Sequence, residues 1–124
     1  MLYSIDLPEV GMPQLIDKLP GWLVEDGIKD RWVMNLGDSR EILPDLCEKV
    51  GNVDIFLHDS EHSYRNMLFE FNTVWDYMSN EGVLLADDSF GNDAILDFVS
   101  NKGISQNRIA FSKQGLAGIR IVKG

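Results

Sequence analysis

Cysteine is almost missing from this chain: Cys47 stands alone among 124 residues. A single cysteine excludes an internal disulfide and suits a reducing compartment, so a cytoplasmic protein is expected. Cys47 shares a helical face with Leu43, Leu46 and Val50 and reads as a packing residue rather than a nucleophile. Long apolar runs are missing too, and none approaches the ~20 residues that a membrane-spanning helix needs. Leu2 to Leu7 is too short for the apolar part of a secretory leader and is closed by Pro8, so no leader is expected. Basic residues are scarce: 11 Lys and Arg against 20 Asp and Glu give a formal charge of −9. That balance argues against nucleic acid or an anionic membrane as partner and suits a cation or a cationic cofactor. With no repeat, low-complexity tract or linker, and 44% hydrophobic residues, residues 1–124 read as one domain with a core of its own.

What the chain does have is two short apolar runs that each break into acidic residues. Val53-Asp54-Ile55-Phe56-Leu57 gives way to His58-Asp59-Ser60-Glu61-His62, and Gly82-Val83-Leu84-Leu85-Ala86 gives way to Asp87-Asp88-Ser89. Between them Met67, Leu68, Phe71, Val74, Trp75 and Met78 recur at helical spacing. Short apolar strands joined by an amphipathic helix predict parallel neighbours and a right-handed crossover. Such sheets bind ligands beyond the carboxyl ends of their strands, so Asp59, Asp87 and Asp88 stand where chemistry is expected. Adjacent strands lie about 4.8 Å apart, close enough for these carboxylates to share one cation. Oxygen ligands without a thiolate favour Mg²⁺, Ca²⁺ or Mn²⁺ over zinc. His58 and His62 are four apart, but that spacing gathers two iron-binding histidines only on a helix, and His58 ends a strand.

The remaining segments complete the pattern. Leu2 to Leu7 is a strand, and Trp32 to Leu36 is another, ending in Gly37-Asp38-Ser39. Between them Met12, Leu15, Ile16 and Leu19 read as a short helix stopped by Pro20-Gly21. In that segment Trp22 is either a core residue or the cover of a substrate pocket. A helix with Pro44 near its start runs to Gly51-Asn52. Ser60 or Ser63 caps the helix that carries Met67, and Asn80 to Gly82 stops it. Asn92 caps a last helix lined by Ile95, Leu96, Phe98 and Val99. Asn107 to Ser112 and Leu116 to Val122 flank Lys113-Gln114-Gly115 as a hairpin. The expected class is α/β, a mostly parallel sheet with helices on its faces and a C-terminal antiparallel hairpin.

Five stretches together resemble the class I S-adenosylmethionine-dependent methyltransferases: Tyr3-Ser4-Ile5-Asp6-Leu7, Gly37-Asp38-Ser39-Arg40-Glu41, His58 to Tyr64, Gly82 to Asp88, and the terminal hairpin. The third and fourth are similar to the metal-dependent O-methyltransferases of antibiotic and catechol substrates. The resemblance implies a Rossmann-like fold, S-adenosylmethionine as cofactor, Mg²⁺ or another divalent cation, and a small-molecule oxygen as methyl acceptor. By the same resemblance Asp6 holds the cofactor's ribose hydroxyls, a role suited to a carboxylate that accepts from both. Asp38 and Ser39 would face the adenine, and Asp59 would stand between cofactor and metal as the first metal carboxylate. Asp87 and Asp88 would complete the metal ligands. Glu61 falls where some members place a general base, and His62 competes with it for the proton.

One feature of the family is not found. Its glycine-rich cofactor loop follows its first strand, whereas Tyr3 to Leu7 resembles the second. The first strand, the loop and the next helix are therefore expected to precede Met1, making this an N-terminally truncated methyltransferase fold. Gly11, Gly21 and Gly27 do not follow a strand in G-x-G form. A missing central strand would leave unpaired N–H and C=O groups on both flanks. Two repairs are open: neighbouring strands rearrange, or a second copy swaps in a strand to make a homodimer. Two functions are open as well, a methyltransferase and a non-catalytic remnant that keeps the sheet without the cofactor. A response-regulator receiver is excluded, because receivers pair their acids at the first strand end and Asp87-Asp88 comes late.

Overall fold

Leu2–Asp6 and Trp32–Leu36 pair as parallel strands, β1 and β2, in the computed structural model, which describes residues 1–7 and 20–123. The expected helix over Met12 to Leu19 lies outside the described residues. The chain divides into two compact units, Met1–Ile42 and Leu43–Gly124.

In the first unit, Leu2 pairs with Trp32 and the register runs on to Asp6 opposite Leu36. Trp32 Nε1 donates to Ser4 Oγ at 2.7 Å, and Asn35 Nδ2 donates to the Ser4 carbonyl at 3.2 Å, so polar side chains reinforce the ladder. Gly21 precedes the short helix α1 (Asp26–Lys29) with φ +83°, and a Cβ there would stand 2.0 Å from the Trp32 ring. Only glycine allows both that backbone and that close approach.

Helix α2 (Ser39–Val50) buries Leu43 and Cys47, as the apolar spacing predicts. Pro44 is its sixth residue rather than near its start, so the helix runs through it and gives up one backbone hydrogen bond. The second unit is built on a four-stranded sheet in the order β3 (Val53–His58), β4 (Met78–Ala86), β6 (Ala117–Arg120), β5 (Ile109–Phe111). β3 and β4 are parallel across helix α3 (Tyr64–Trp75), while β6 runs antiparallel to β4 and β5. Ser63, not Ser60, is the N-cap of α3 and accepts from Asn66 N at 3.3 Å. Met78 belongs to β4 rather than to the helix. It is buried at 3% exposure in either role, so its apolar character did not distinguish them. Asn92 Oδ1 accepts from Ala94 N at 2.9 Å at the start of helix α4 (Ala94–Asn101).

The core lies on one face of this sheet. Met67, Phe71 and Val74 of α3 and Ile95, Phe98 and Val99 of α4 are buried with Leu84, Ala86 and Ile119 of the strands. Phe98 is its centre, with ring centroids 5.4 Å from Phe71 and 5.7 Å from Trp75. On β3, Ile55 and Leu57 remain 68% and 55% exposed. The strands form two sheets where one was expected, and β1 and β3 each pair along one edge only among the described residues. Among the described residues no helix is long and apolar enough to cross a membrane.

Candidate functional site

Parallel register builds the candidate site. His58 pairs with Ala86 as the last step of the β3–β4 ladder, so the chain leaves both strands side by side. Asp87 N then donates to the His58 carbonyl at 2.9 Å, which extends the pairing one step beyond the strands. Ligand-capable atoms of Asp59, His62 and Asp87 come within 4.8 Å of one another. Asp88, which the sequence suggests as a ligand, is not in that group. Its backbone turns into the left-handed region at φ 48°, and its Oδ2 sits 2.8 Å from His62 Nδ1. A histidine thus stands where a third carboxylate was expected.

With Nδ1 on Asp88, the proton of a neutral His62 ring belongs on Nδ1, and Nε2 carries the lone pair. Nε2 lies 3.5 Å from Asp59 Oδ1 and makes no hydrogen bond among the described residues. Two electron-rich atoms facing each other in this way suit a cation or a proton between them. The loop that presents His62 is fastened to the loop after β4, because Asn92 Nδ2 donates to the His62 carbonyl at 2.9 Å. Ser89 fastens the other side, its backbone N–H donating to the Gly115 carbonyl at 2.9 Å and its hydroxyl donating to the same atom. Glu61 is exposed, and its carbonyl accepts from Asn66 Nδ2 at 3.1 Å; its carboxylate is not in the three-residue group.

Of the expected cofactor residues, Asp6, Asp38 and Ser39 belong to the first unit, Asp6 as the last residue of β1 and the other two just after β2, whereas Asp59 belongs to the second. Asp6 Oδ1 accepts from Leu7 N at 2.8 Å, and the Asp6 carbonyl accepts from Gly37 N at 2.9 Å. Asp38 is engaged on both oxygens by Arg40, with Nη2 at 2.5 Å from Oδ2 and Nε at 3.0 Å from Oδ1. Those hydrogen bonds, with one from the Arg40 backbone N–H, hold the Asp38 carboxyl at about 2, below its ordinary 3.8. Ser39 opens α2. Trp22 lines an open hollow of the same unit with Pro20, Gly21, Lys29, Trp32 and Met34.

Sequence reasoning missed Glu70. It is buried at 3% exposure, and its Oε2 lies 2.6 Å from Nδ1 of the fully buried His58. The signal was present: Glu70 falls three residues after Met67 and four before Val74, a charge on the apolar face of a helix.

Residues 2–89 match the profile of a family described as a methyltransferase domain. Among solved structures, the chain is similar to the MycE methyltransferase from the mycinamycin biosynthetic pathway, in complex with Mg and SAH, at a TM-score of 0.61 and 13% identity. That match covers 98% of this chain and 46% of the other. A second structure of MycE, in complex with Mg, SAH and mycinamycin VI, gives 0.60, 13% and 98% against 45%. The chain therefore spans just under half the length of the structures it resembles. No curated protein sequence matches it.

Proposed function

This chain belongs to the methyltransferase-domain family, and from that premise we propose that it is an S-adenosylmethionine-dependent methyltransferase acting on an oxygen of a small molecule with help from a divalent cation. The observation that carries the proposal is the convergence of Asp59, His62 and Asp87 within 4.8 Å at the ends of two parallel strands.

The donor set fits a hard divalent cation, because two carboxylates on neighbouring strand ends offer it oxygen. Asp59 and Asp87 would hold the cation, and His62 would be the general base. When bound, the cation lowers the pKa of a substrate hydroxyl, and S-adenosylmethionine supplies the methyl group. His62 Nε2 would take the hydroxyl proton as the oxygen gains the methyl group, and the cofactor's sulfonium would leave as the demethylated thioether. Asp88, at 2.8 Å from Nδ1, keeps the ring in the tautomer that leaves Nε2 free and stabilises the imidazolium that forms. Asp6 would accept from the ribose hydroxyls, chiefly through Oδ2, since Oδ1 accepts from Leu7 N at 2.8 Å. Glu61 stands as the weaker candidate for the base, being exposed and outside the three-residue group.

One observation favours a different reading, a domain that keeps the sheet without the cofactor: both Asp38 oxygens are already taken by Arg40. Calorimetric titration of S-adenosylmethionine into the protein, with and without Mg²⁺, separates the two. Binding heat that grows with Mg²⁺ supports the methyltransferase, and a flat titration at millimolar cofactor overturns it. The partners proposed are a small-molecule acceptor and, through the edges of β1 or β3 that pair with nothing among the described residues, a second copy of the chain.

A further inference from the structure

We infer that Glu70 is a positioning residue, a buried carboxylate that sets the shape of the loop bearing Asp59 and His62; the inference rests on the reading of that loop given above. Residues 59–63 belong to no helix or strand, so no backbone ladder fixes them. Side chains do so instead. Glu70 Oε2 lies 2.6 Å from His58 Nδ1, and Glu70 Oε1 accepts from Ser60 Oγ at 2.6 Å. One carboxylate thereby holds the residues on both sides of Asp59. Asn66, one turn earlier on α3, turns its amide toward the same loop. Its Nδ2 lies 3.1 Å from Ser60 Oγ, 3.1 Å from the Glu61 carbonyl and 3.2 Å from Glu70 Oε1.

The arrangement reaches His62 through His58. The His58 ring is fully buried and stands edge-on between His62 and Phe71, with centroids 5.5 Å from each. Its Nε2 has no hydrogen-bond partner among the described residues, so its orientation is set by Glu70 on one nitrogen and by ring packing. A carboxylate on a helix face that otherwise buries Met67, Phe71 and Val74 is costly unless it is fully hydrogen-bonded. An apolar residue would fill that face more cheaply, so what the carboxylate adds is the geometry of the loop. Groups that hydrogen-bond metal ligands directly are worth about 10- to 100-fold in metal affinity. Glu70 acts one residue further out, through His58 and Ser60 on either side of Asp59, so the lower end of that range is expected.

The test is Mn²⁺ binding followed by electron paramagnetic resonance in the unaltered protein, Asp87→Asn, Glu70→Gln, Glu70→Leu and Ser60→Ala. Glu70→Gln keeps the shape and most hydrogen bonds, and its affinity is expected to stay close to that of the unaltered protein. Glu70→Leu fills the same space without them and is expected to bind about tenfold more weakly or worse while melting as a folded protein. Ser60→Ala removes one arm of the clamp without entering the core and is expected to weaken binding in the same direction. Combined with Glu70→Leu it should add less than it costs alone, because the Ser60–Glu70 contact is already gone and only Asn66 Nδ2 still reaches Ser60 Oγ. A folded Glu70→Leu that binds Mn²⁺ like the unaltered protein overturns the inference, and so does an unchanged Ser60→Ala should Glu70→Leu not fold. Failure of the metal reading looks different: the unaltered protein does not bind, or Asp87→Asn binds equally well. In that case metal-free NMR decides, since Glu70→Leu must then displace the amide signals of Asp59 to His62 while Glu70→Gln leaves them in place. Undisplaced signals in a folded Glu70→Leu sink the inference whether or not metal binds.

Discussion

His62 Nδ1 and Asp88 Oδ2 lie 2.8 Å apart, a contact between the loop after β3 and the loop after β4. The pair turns a histidine that is otherwise half-exposed into an oriented one and leaves Nε2 toward Asp59. Asp88 reaches it from a left-handed backbone at φ 48°, a conformation that aspartate tolerates better than most residues.

Asp88→Asn should therefore preserve the fold but lower turnover about 100-fold, because an amide cannot stabilise the imidazolium and can hold the ring in the wrong tautomer. Steady-state kinetics and a melting curve on the same sample check it. Turnover equal to that of the unaltered protein would remove the pair from the mechanism.

Asp38 offers a pH prediction at the first unit. Its carboxyl is held at about 2, below the ordinary 3.8, chiefly by the Arg40 side chain. Because the folded value is the lower one, the pair contributes stability above about pH 4 that is lost as the pH falls toward 2. Asp38 is half-exposed, so the effect is read best as a titration midpoint: NMR should place it near 2 and, in Arg40→Ala, higher but still below the ordinary value, because the backbone N–H of residue 40 keeps its hydrogen bond to the carboxylate.

Gly21→Ala should destabilise the first unit by more than about 1 kcal/mol, since φ +83° strains any side chain and the new Cβ would meet the Trp32 ring. Urea unfolding followed by tryptophan fluorescence reads the loss. A neutral substitution would mean that Trp32 moves aside at little cost.

Phe98→Ala should cost about 3–5 kcal/mol, because it empties the centre shared by Phe71 and Trp75. Leu96→Ala, on the exposed side of the same helix at 43% exposure, should cost far less. Equal losses would contradict the one-faced core.

The edge of β3 that pairs with no strand among the described residues, with Ile55 and Leu57 exposed, leads us to expect a concentration-dependent dimer in sedimentation. Ile55→Lys should shift it to monomer. A monomer at every concentration would assign the edge no partner among copies of the chain.

Strand–helix–strand order around the acidic runs was legible in the sequence, because periodicity of two or of 3.6 is a local property of side chains. The β2 span Trp32–Leu36 and the buried face of α2 at Leu43 and Cys47 follow from it directly. Met78 was ambiguous for the same reason, since one apolar residue at an element boundary satisfies both periods.

Chain order and spacing alone determined that Asp59 and Asp87 would follow neighbouring parallel strands, because a short apolar run, a long amphipathic helix and a second run leave few topologies open. Which side chains then met was decided only in three dimensions. Asp88 turned to His62, and Glu70 turned inward to His58 and Ser60. These choices depend on rotamers, backbone sign and the need to satisfy every buried polar atom at once, and none of those is a local property of the sequence.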